Sequence, residues 1–398
     1  MNGPPRLANK LAVLMKDGLK KLANVPRSAI LLVFLCLLAL GGFTVIQRFL
    51  FAFGDETALR VIHVYLADLN GDEHQDAYMV TNQMHRILFN DGNGNFTTNR
   101  ELLMHNYVLA LGDLDGNDSL DVILTRFENG MMGGDLLFEC AEAPADVVIP
   151  ALSDGVPGQV FAIRDGNRDG LPEGYIAGCC GSGTAMMNYA TLFSNYRSCL
   201  GTEPPTDAAL GDLNGDGTLD VFLAKGWTMT QRNTPNEVWF NDGHGNFIDS
   251  VQRLGKAESY DVALGDLNGD GFMDAVVGNH NGGEIWFNDG QGNFSNGEQR
   301  LGRGITNTIF VADPDKDGDL DLFLGGETST SIRLWLNDGT GRFRTGQRIN
   351  YGRYDAVTVG DVTGDGVMDV LVSGPDSYQV WRGEGDGRFN AMGHSTYR

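Results

Sequence analysis

The residues best placed to do chemistry in this chain are carboxylates, and they recur in one pattern. Nine-residue segments with an acid at positions one and nine occur seven times: DLNGDEHQD from Asp68, DLDGNDSLD from Asp113, DGNRDGLPE from Asp165, DLNGDGTLD from Asp212, DLNGDGFMD from Asp266, DPDKDGDLD from Asp313 and DVTGDGVMD from Asp361. Successive starts are 45, 52, 47, 54, 47 and 48 residues apart. Alternate oxygen-bearing side chains in a tight loop converge on one point, and calcium takes roughly six to eight oxygens at about 2.3–2.6 Å. The expected cofactor is therefore Ca2+, at up to seven sites.

The candidate ligands follow from positions one, three, five and nine, with the carbonyl of position seven added in the more regular loops. They are Asp68, Asn70, Asp72 and Asp76; Asp113, Asp115, Asn117 and Asp121; and Asp165, Asn167, Asp169 and Glu173. The fourth and fifth loops offer Asp212, Asn214, Asp216, Thr218 and Asp220, then Asp266, Asn268, Asp270, Phe272 and Asp274. The last two offer Asp313, Asp315, Asp317, Asp319 and Asp321, then Asp361, Thr363, Asp365, Val367 and Asp369. Glycine at position six takes a positive φ at least cost. Glu73 and Asp118 replace it in the first two loops, and the third carries Arg168. The best sites are expected at 212, 266, 313 and 361.

Two other readings of the loops are weaker. An EF-hand runs twelve residues to a Glu between helices, whereas here the last acid comes at position nine and enters an apolar run. Asn-Gly-Asp segments also make plain hairpin turns, but turn chemistry does not require acids at positions one and nine in seven copies.

The elements that must hold these loops are short strands. The fifth copy, DVALGDLNGDGFMDAVVGNHNGGEIWFNDGQGNFSNG, shows the grammar: an alternating lead-in, the loop, an apolar run, a second run ending in a Trp-Phe pair, an Asn-Asp-Gly turn and a last strand. Apolar runs bounded by Gly, Asn and Asp read as strands joined by tight turns. One four-stranded sheet cannot bury both faces, and radial closure removes long exposed edges. The expectation is all-β: a seven-bladed β-propeller of four-stranded antiparallel blades over residues 55–398. The last copy contains all its strands, so a swapped closing strand is not evident.

The D-x-[DN]-x-D-G-x-x-D loop, followed by a strand and a W-[FL]-N-D-G-x-G-x-F turn, resembles the FG-GAP and VCBS repeats of integrin α-subunit-like propellers. Trp239, Trp286, Trp335 and Trp381 hold one equivalent position, with Leu88 there in the first copy. Copies two and three lack the turn. The resemblance implies calcium in the loops and a propeller used for adhesion or ligand binding.

Charge is distributed unevenly. The chain of 398 residues has a formal net charge of -23, yet the first 50 residues hold seven bases against Asp17 alone. So acidic a body lacks the clustered Lys and Arg that nucleic acid requires. The run from Ser28 to Gln47 is uncharged and long enough to cross a membrane. Basic residues precede it, placing the N-terminus in the cytoplasm and the propeller outside. The domains expected are a basic amphipathic segment 1–27, a transmembrane signal anchor 28–54 and the propeller. The rival is a secretory signal cleaved near Ala39-Leu40-Gly41, which would leave the protein secreted.

Cys140, Cys179, Cys180 and Cys199 suit one or two disulfides in an exported protein, with a zinc site as rival. Asn95, Asn117 and Asn293 begin glycosylation sequons that coincide with turn and loop motifs. Catalytic signatures are absent: the seven histidines are scattered, with no H-E-x-x-H and no nucleophile elbow. The sequence reads as a non-enzymatic protein or glycan interaction module, or a subunit of a membrane complex. The rivals are an extracellular polysaccharide-acting enzyme, which would need an acid or His cluster outside the seven loops, and a purely structural accessory subunit. Partner surface is expected where the repeats break pattern, at 127–160, 178–205 and 226–235.

Overall fold

The computed structural model describes residues 59–102, 106–112, 121–128, 131–137, 147–152, 159–164, 173–177, 184–188, 205–226, 234–243, 247–326, 331–350, 352 and 355–397; between 106 and 188 the description is of strand backbone. Outside these lie residues 1–58 with the expected anchor, the loops at 113–120 and 165–172, and the four cysteines after residue 50. Among the described residues no helix is long and apolar enough to cross a membrane.

Every regular element among the described residues is a strand. The first sheet is β1 (Val61–Ala67), β2 (Asp76–Thr81), β3 (His85–Asn90) and β4 (Phe96–Leu102). The second is β5 (Asn106–Gly112), β6 (Asp121–Glu128), β7 (Met131–Leu137) and β8 (Val147–Leu152). The third has β9 (Gln159–Arg164), β10 (Glu173–Ala177) and β11 (Thr184–Asn188), three strands among the described residues where four were expected. The fourth is β12 (Asp207–Gly211), β13 (Asp220–Ala224), β14 (Asn236–Asn241) and β15 (Phe247–Leu254). The fifth is β16 (Ser259–Gly265), β17 (Asp274–Asn279), β18 (Gly282–Asn288) and β19 (Phe294–Leu301). The sixth is β20 (Thr308–Ala312), β21 (Asp321–Gly325), β22 (Ser331–Leu336) and β23 (Arg344–Asn350). The seventh is β24 (Ala356–Gly360), β25 (Asp369–Ser373), β26 (Ser377–Gly383) and β27 (Phe389–Thr396). Each sheet is an antiparallel meander of consecutive strands, and among the described residues no strand is exchanged into the last sheet.

The ninth acid of each loop opens the second strand, so the loop is the hairpin between strands one and two. Second strands β2, β13, β17, β21 and β25 are buried along their whole length. In β17, β21 and β25 both faces meet neighbouring sheets, which is why such strands read as unbroken apolar runs rather than alternating ones. Outer strands do alternate: β19 buries its ends and exposes much of its middle. The repeated tryptophans hold a constant register, pairing across to the second residue of the second strand: Val221 with Trp239, Ala275 with Trp286, Leu322 with Trp335 and Val370 with Trp381. Leu88 pairs with Ala77 in the same way.

Core clusters straddle sheet boundaries. Phe222 meets Phe294 edge-on at 5.4 Å between the fourth and fifth sheets, and Phe323 meets Phe389 at 5.6 Å between the sixth and seventh. Between the last sheet and the first, Phe96 meets Tyr378 at 5.3 Å, within a cluster that joins Val64, Met79 and Leu88 to Val362, Leu371 and Val380. Removing one such ring to Ala costs about 3–5 kcal/mol.

Polar bridges repeat at the same boundaries. The turn asparagine of one sheet donates to the carbonyl of position two in the preceding sheet's loop: Asn288 Nδ2 to Leu213 and Asn337 Nδ2 to Leu267, both at 2.8 Å. Asn90 Nδ2 of the first sheet donates to Val362 of the last at 2.9 Å.

Candidate metal centres in the hairpin loops

Five of the seven loops are described, and they share one construction. The first acid accepts the backbone amides of its own loop. Asp212 takes Gly215 and Gly217 on its two oxygens at 2.8 Å each, Asp266 takes Gly269 at 2.8 Å and Gly271 at 2.9 Å, and Asp361 takes Asp365 at 3.2 Å and Gly366 at 2.7 Å. Asp68 takes Gly71 at 2.7 Å and Glu73 at 2.8 Å. Positions four and six carry positive φ: Gly215 and Gly217 at 76° and 80°, Gly269 and Gly271 at 76° and 88°. Glu73 in loop one and Lys316 in loop six occupy that region as non-glycines, at 69° and 58°, at a cost of roughly 1–2 kcal/mol each. Glu73 thus takes, as a side-chain-bearing residue, the conformation that glycine adopts at least cost.

Position three donates to position five. Asn70, Asn214 and Asn268 each send Nδ2 to Asp72, Asp216 and Asp270 at 3.0 Å. The amide of position seven closes on the other oxygen of position five: Thr218 on Asp216 at 2.7 Å, Phe272 on Asp270 at 2.9 Å, Asp319 on Asp317 at 3.0 Å and Val367 on Asp365 at 2.9 Å. The ninth acid is buried and ties the loop to the end of strand three. Asp220 accepts Leu213 N and Asn241 N, and Asp274 accepts Leu267 N and Asn288 N, at 2.8 to 3.0 Å. Asp76 and Asp369 do the same. Burial, with the neighbouring loop acids added, pushes Asp220 and Asp274 up to about 6 and raises Asp76 and Asp369.

Loop six differs. Its position two is Pro314, which has no N–H, and its position three is Asp315 rather than Asn. Asp321 accepts Asn337 N at 2.7 Å on Oδ1, but its Oδ2 is buried without a partner, as are Asp313 Oδ1 and Asp315 Oδ1. Carboxylate oxygens of Asp313, Asp315 and Asp317 lie within 4.8 Å of one another. Asp321 is pushed up to about 7 by burial and then by Asp315, Asp317 and Asp313. Buried carboxylate oxygens without a donor, beside carboxylates gathered at one point, are a ligand set that fits a divalent cation.

Loop seven carries a competing charge. Arg382 reaches Asp365 at 2.7 Å, so its fifth ligand already has a guanidinium partner. Thr363 supplies a hydroxyl, not a carboxylate, at position three. Loops two and three lie outside the described residues, apart from Asp121 and Glu173, which open β6 and β10 as the other ninth acids open their strands. Asn95 and Asn293 donate their side-chain amides to Asp91 and Asp289 at 2.9 Å, the work of a turn residue.

A second titratable group lies outside the loops. Asp207 and Asp261 share a side-chain hydrogen bond. Asp207 also accepts Val262 N at 2.9 Å and Asp261 accepts Ile309 N at 2.7 Å, each from the first strand of the next sheet. Burial holds Asp207 well above the usual carboxylate range and raises Asp261. His63 keeps solvent contact, but protein packed around it lowers its imidazole pKa against the pull of Asp261. Tyr65 is pushed up to about 12 by burial and by Asp207. Loop motifs gave no hint of this group. Aligning the repeats on their first acid does, since His63, Asp207 and Asp261 each stand five residues before it.

Comparison with known proteins agrees with this architecture. Residues 212–277, 266–324 and 313–372 each match the FG-GAP-like repeat. Cartilage acidic protein 1 of Xenopus tropicalis is 33% identical over 98 residues, covering 23% of this chain and 14% of that protein. The Mus musculus protein of that name is 24% identical over 178 residues, covering 44% of this chain and 21% of its own. The match thus spans about a fifth or less of those relatives. Among solved structures, an Agrocybe aegerita lectin that recognises non-reducing terminal N-acetylglucosamine has a TM-score of 0.51 at 17% identity, over 86% of this chain and 90% of the lectin. BBS1N, crystallised with ARL6DN, has a TM-score of 0.53 at 10% identity, over 84% and 91% of the two chains. Those two likenesses are of fold.

Proposed function

For a chain built of FG-GAP-like repeats, we propose the role of a calcium-binding, seven-bladed propeller, held outside the cytoplasm by residues 28–54, that presents a protein or glycan interaction surface. The observation that carries the calcium part is loop six, where three buried carboxylate oxygens lack any hydrogen-bond donor. Asp313, Asp315, Asp317 and Asp321 would hold the ion, with the carbonyl of Asp319. Asp212, Asn214, Asp216 and Asp220, and their counterparts in loop five, would hold others on a prebuilt frame. The ion supplies charge neutralisation that pins strand one to strand two.

Ring closure is part of this proposal. It is supported by the Asn90 bridge to Val362 and the shared core of the first and last sheets. First strands also pack side by side from β5 through β9, β12 and β16 to β20, and β1 packs on β24. Extracellular calcium sites often bind at about 0.1–1 mM, so a tenfold excess adds roughly 1.4 kcal/mol per filled site. Four such sites add roughly 6 kcal/mol, of the order of a domain's whole stability.

The interaction part draws on the lectin likeness and on the repeats themselves. Intact protein in detergent and a form lacking residues 1–54 are to be used as bait in calcium and in excess EGTA. Calcium-dependent retention of a protein or glycan by both forms is the expected result. Retention only by the intact form would favour an accessory subunit held through its helix. Retention by neither would overturn the interaction reading.

One observation favours a second reading. The Asp207–Asp261 pair with His63 and Tyr65 is an acid and His cluster outside the loops, as a polysaccharide-acting enzyme would require. Loss of a polysaccharide-cleaving activity on Asp207→Asn, with the fold retained, would establish it.

A further inference from the structure

Two residues before the repeated tryptophan, each third strand places a side chain directly opposite one on the fourth strand. In the first sheet the pair is Arg86 and Glu101, in the fourth Glu237 and Arg253, in the fifth Glu284 and Arg300. All three are ion pairs, at 2.8, 3.7 and 2.8 Å. In the seventh the pair is Gln379 and His394. The sixth sheet breaks the rule with Arg333 opposite Arg348. Like charges directly opposite one another in a sheet are destabilising, and neither arginine has an ion-pair partner among the described residues.

Both arginines line a cavity of about 350 Å³ at the boundary of the fifth and sixth sheets, within the size range of small-ligand sites. Trp335, Ser331, Thr345 and Thr306 line it with them. Arg348 donates Nε to Ser331 Oγ at 2.7 Å, which fixes the guanidinium against the wall. On a chain of net charge -23 this is a local reversal of sign. Two guanidinium groups offer a fork for a carboxylate, an indole offers an apolar face to a sugar ring, and hydroxyls offer partners to sugar hydroxyls.

We propose that this cavity binds a carboxylate-bearing sugar, a uronate unit of an acidic glycan, with Arg333 and Arg348 holding the carboxylate. The proposal rests on the glycan form of the interaction reading above and names its substrate class.

The test is calorimetric titration of the intact, calcium-loaded protein with sodium glucuronate, glucose, sodium sulfate and short polyglutamate. Arg333→Glu recreates the Glu–Arg pair of the fourth and fifth sheets, so the variant is expected to melt no lower than the parent. Glucuronate is expected to bind with quenching of tryptophan fluorescence, glucose roughly tenfold or more weakly, and the variant to lose roughly tenfold or more for glucuronate. Arg333→Gln should lose less. Equal binding of glucose and glucuronate, an unaffected Arg333→Glu variant, or no binding of glucuronate overturns the proposal. Sulfate or polyglutamate bound in its place, and lost in the variant, overturns it in favour of a plain anion or an acidic peptide. If glucuronate fails while the bait experiment retains partners, this cavity is wrong and the interaction reading stands. If no partner is retained, that reading fails independently.

Discussion

Pro314 leaves Asp321 Oδ2 buried without a donor, whereas the same oxygen of the ninth acid accepts the amide of Leu69, Leu213, Leu267 or Val362 in the other described loops. Loop six therefore concentrates unpaired negative charge that a metal relieves. Asp321→Asn is expected to have opposite effects with and without calcium. In EGTA at pH 8 it removes a carboxylate that burial disfavours and should raise the melting temperature. In millimolar calcium it should shrink the calcium-induced rise by one site's share, roughly 1.4 kcal/mol at tenfold saturation. Thermal melts of both proteins in both media check this, and a change of one sign throughout would refute a metal role for the residue.

Tyr378 serves Phe96 across the boundary of the last and first sheets. At other boundaries a glutamine does this work: Gln252, Gln299 and Gln347 accept the amides of Phe294, Phe343 and Phe389 at 2.7 to 3.0 Å. Between the last sheet and the first, Phe96 N donates to the Tyr378 hydroxyl at 2.8 Å. Tyr378→Phe keeps the edge-on ring contact and strands a buried amide, at an expected cost of about 1–3 kcal/mol. Urea melts measure it. A loss under about 0.5 kcal/mol would mean that this boundary does not hold the first sheet in place.

The loops and the strand grammar were legible because both are local. Nine residues fix each hairpin, and an apolar run flanked by turns fixes each strand, so Asp220, Asp274 and Asp321 fall where their spacing puts them. The register of Trp239, Trp286, Trp335 and Trp381 was likewise readable from the period. What joins one sheet to the next was not. Asn288 looks like a turn residue in the sequence, and its bond to Leu213 spans 75 positions. Arg382 is seventeen residues from Asp365 and belongs to another strand, so its hold on loop seven is invisible until the strands pair. Copies two and three lack the turn motif, and in the third sheet three strands of the four expected fall among the described residues. Asp207 and Asp261 read as ordinary polar residues beside so many acids, and the hydrogen bond between their side chains is what distinguishes them.

Lys225 is 2% exposed and bonded to Glu237 at 2.7 Å inside the fourth sheet. Trp239 Nε1 donates to the other Glu237 oxygen at 3.1 Å, while Arg253 stands at 3.7 Å. Removing Lys225 leaves the buried Glu237 carboxylate with only the more distant, half-exposed Arg253 as counter-charge, so Lys225→Met should cost up to about 3–5 kcal/mol. Replacing both, with Lys225→Met and Glu237→Leu, should recover most of that loss. Chemical denaturation of the two variants distinguishes them. If the double variant is no more stable than the single, packing of the lysine stem and not its charge is what matters.

Asp207 and Asp261 give the stability a pH dependence with a definite sign. Both carboxyls are raised above the unfolded value, near 3.8, chiefly by burial, and Asp207 donates to Asp261 in the pair. Between that value and the raised folded one, the native state holds a proton that the unfolded chain has released, so stability falls as pH rises. His63 and Tyr65 are the titratable groups interacting with the pair: a charged imidazole favours ionisation of Asp261, but burial biases it towards neutral, and the phenol stays protonated to about 12. Asp207→Asn mimics the protonated partner, since its Oδ1 can still accept Val262 N and its Nδ2 can donate to Asp261. The variant should match the parent near pH 4 and exceed it increasingly towards pH 8. Melts in saturating calcium keep the loop acids ionised in both proteins, so the difference between the curves isolates the pair. A variant less stable than the parent at pH 8 would show that Asp207 is held ionised instead.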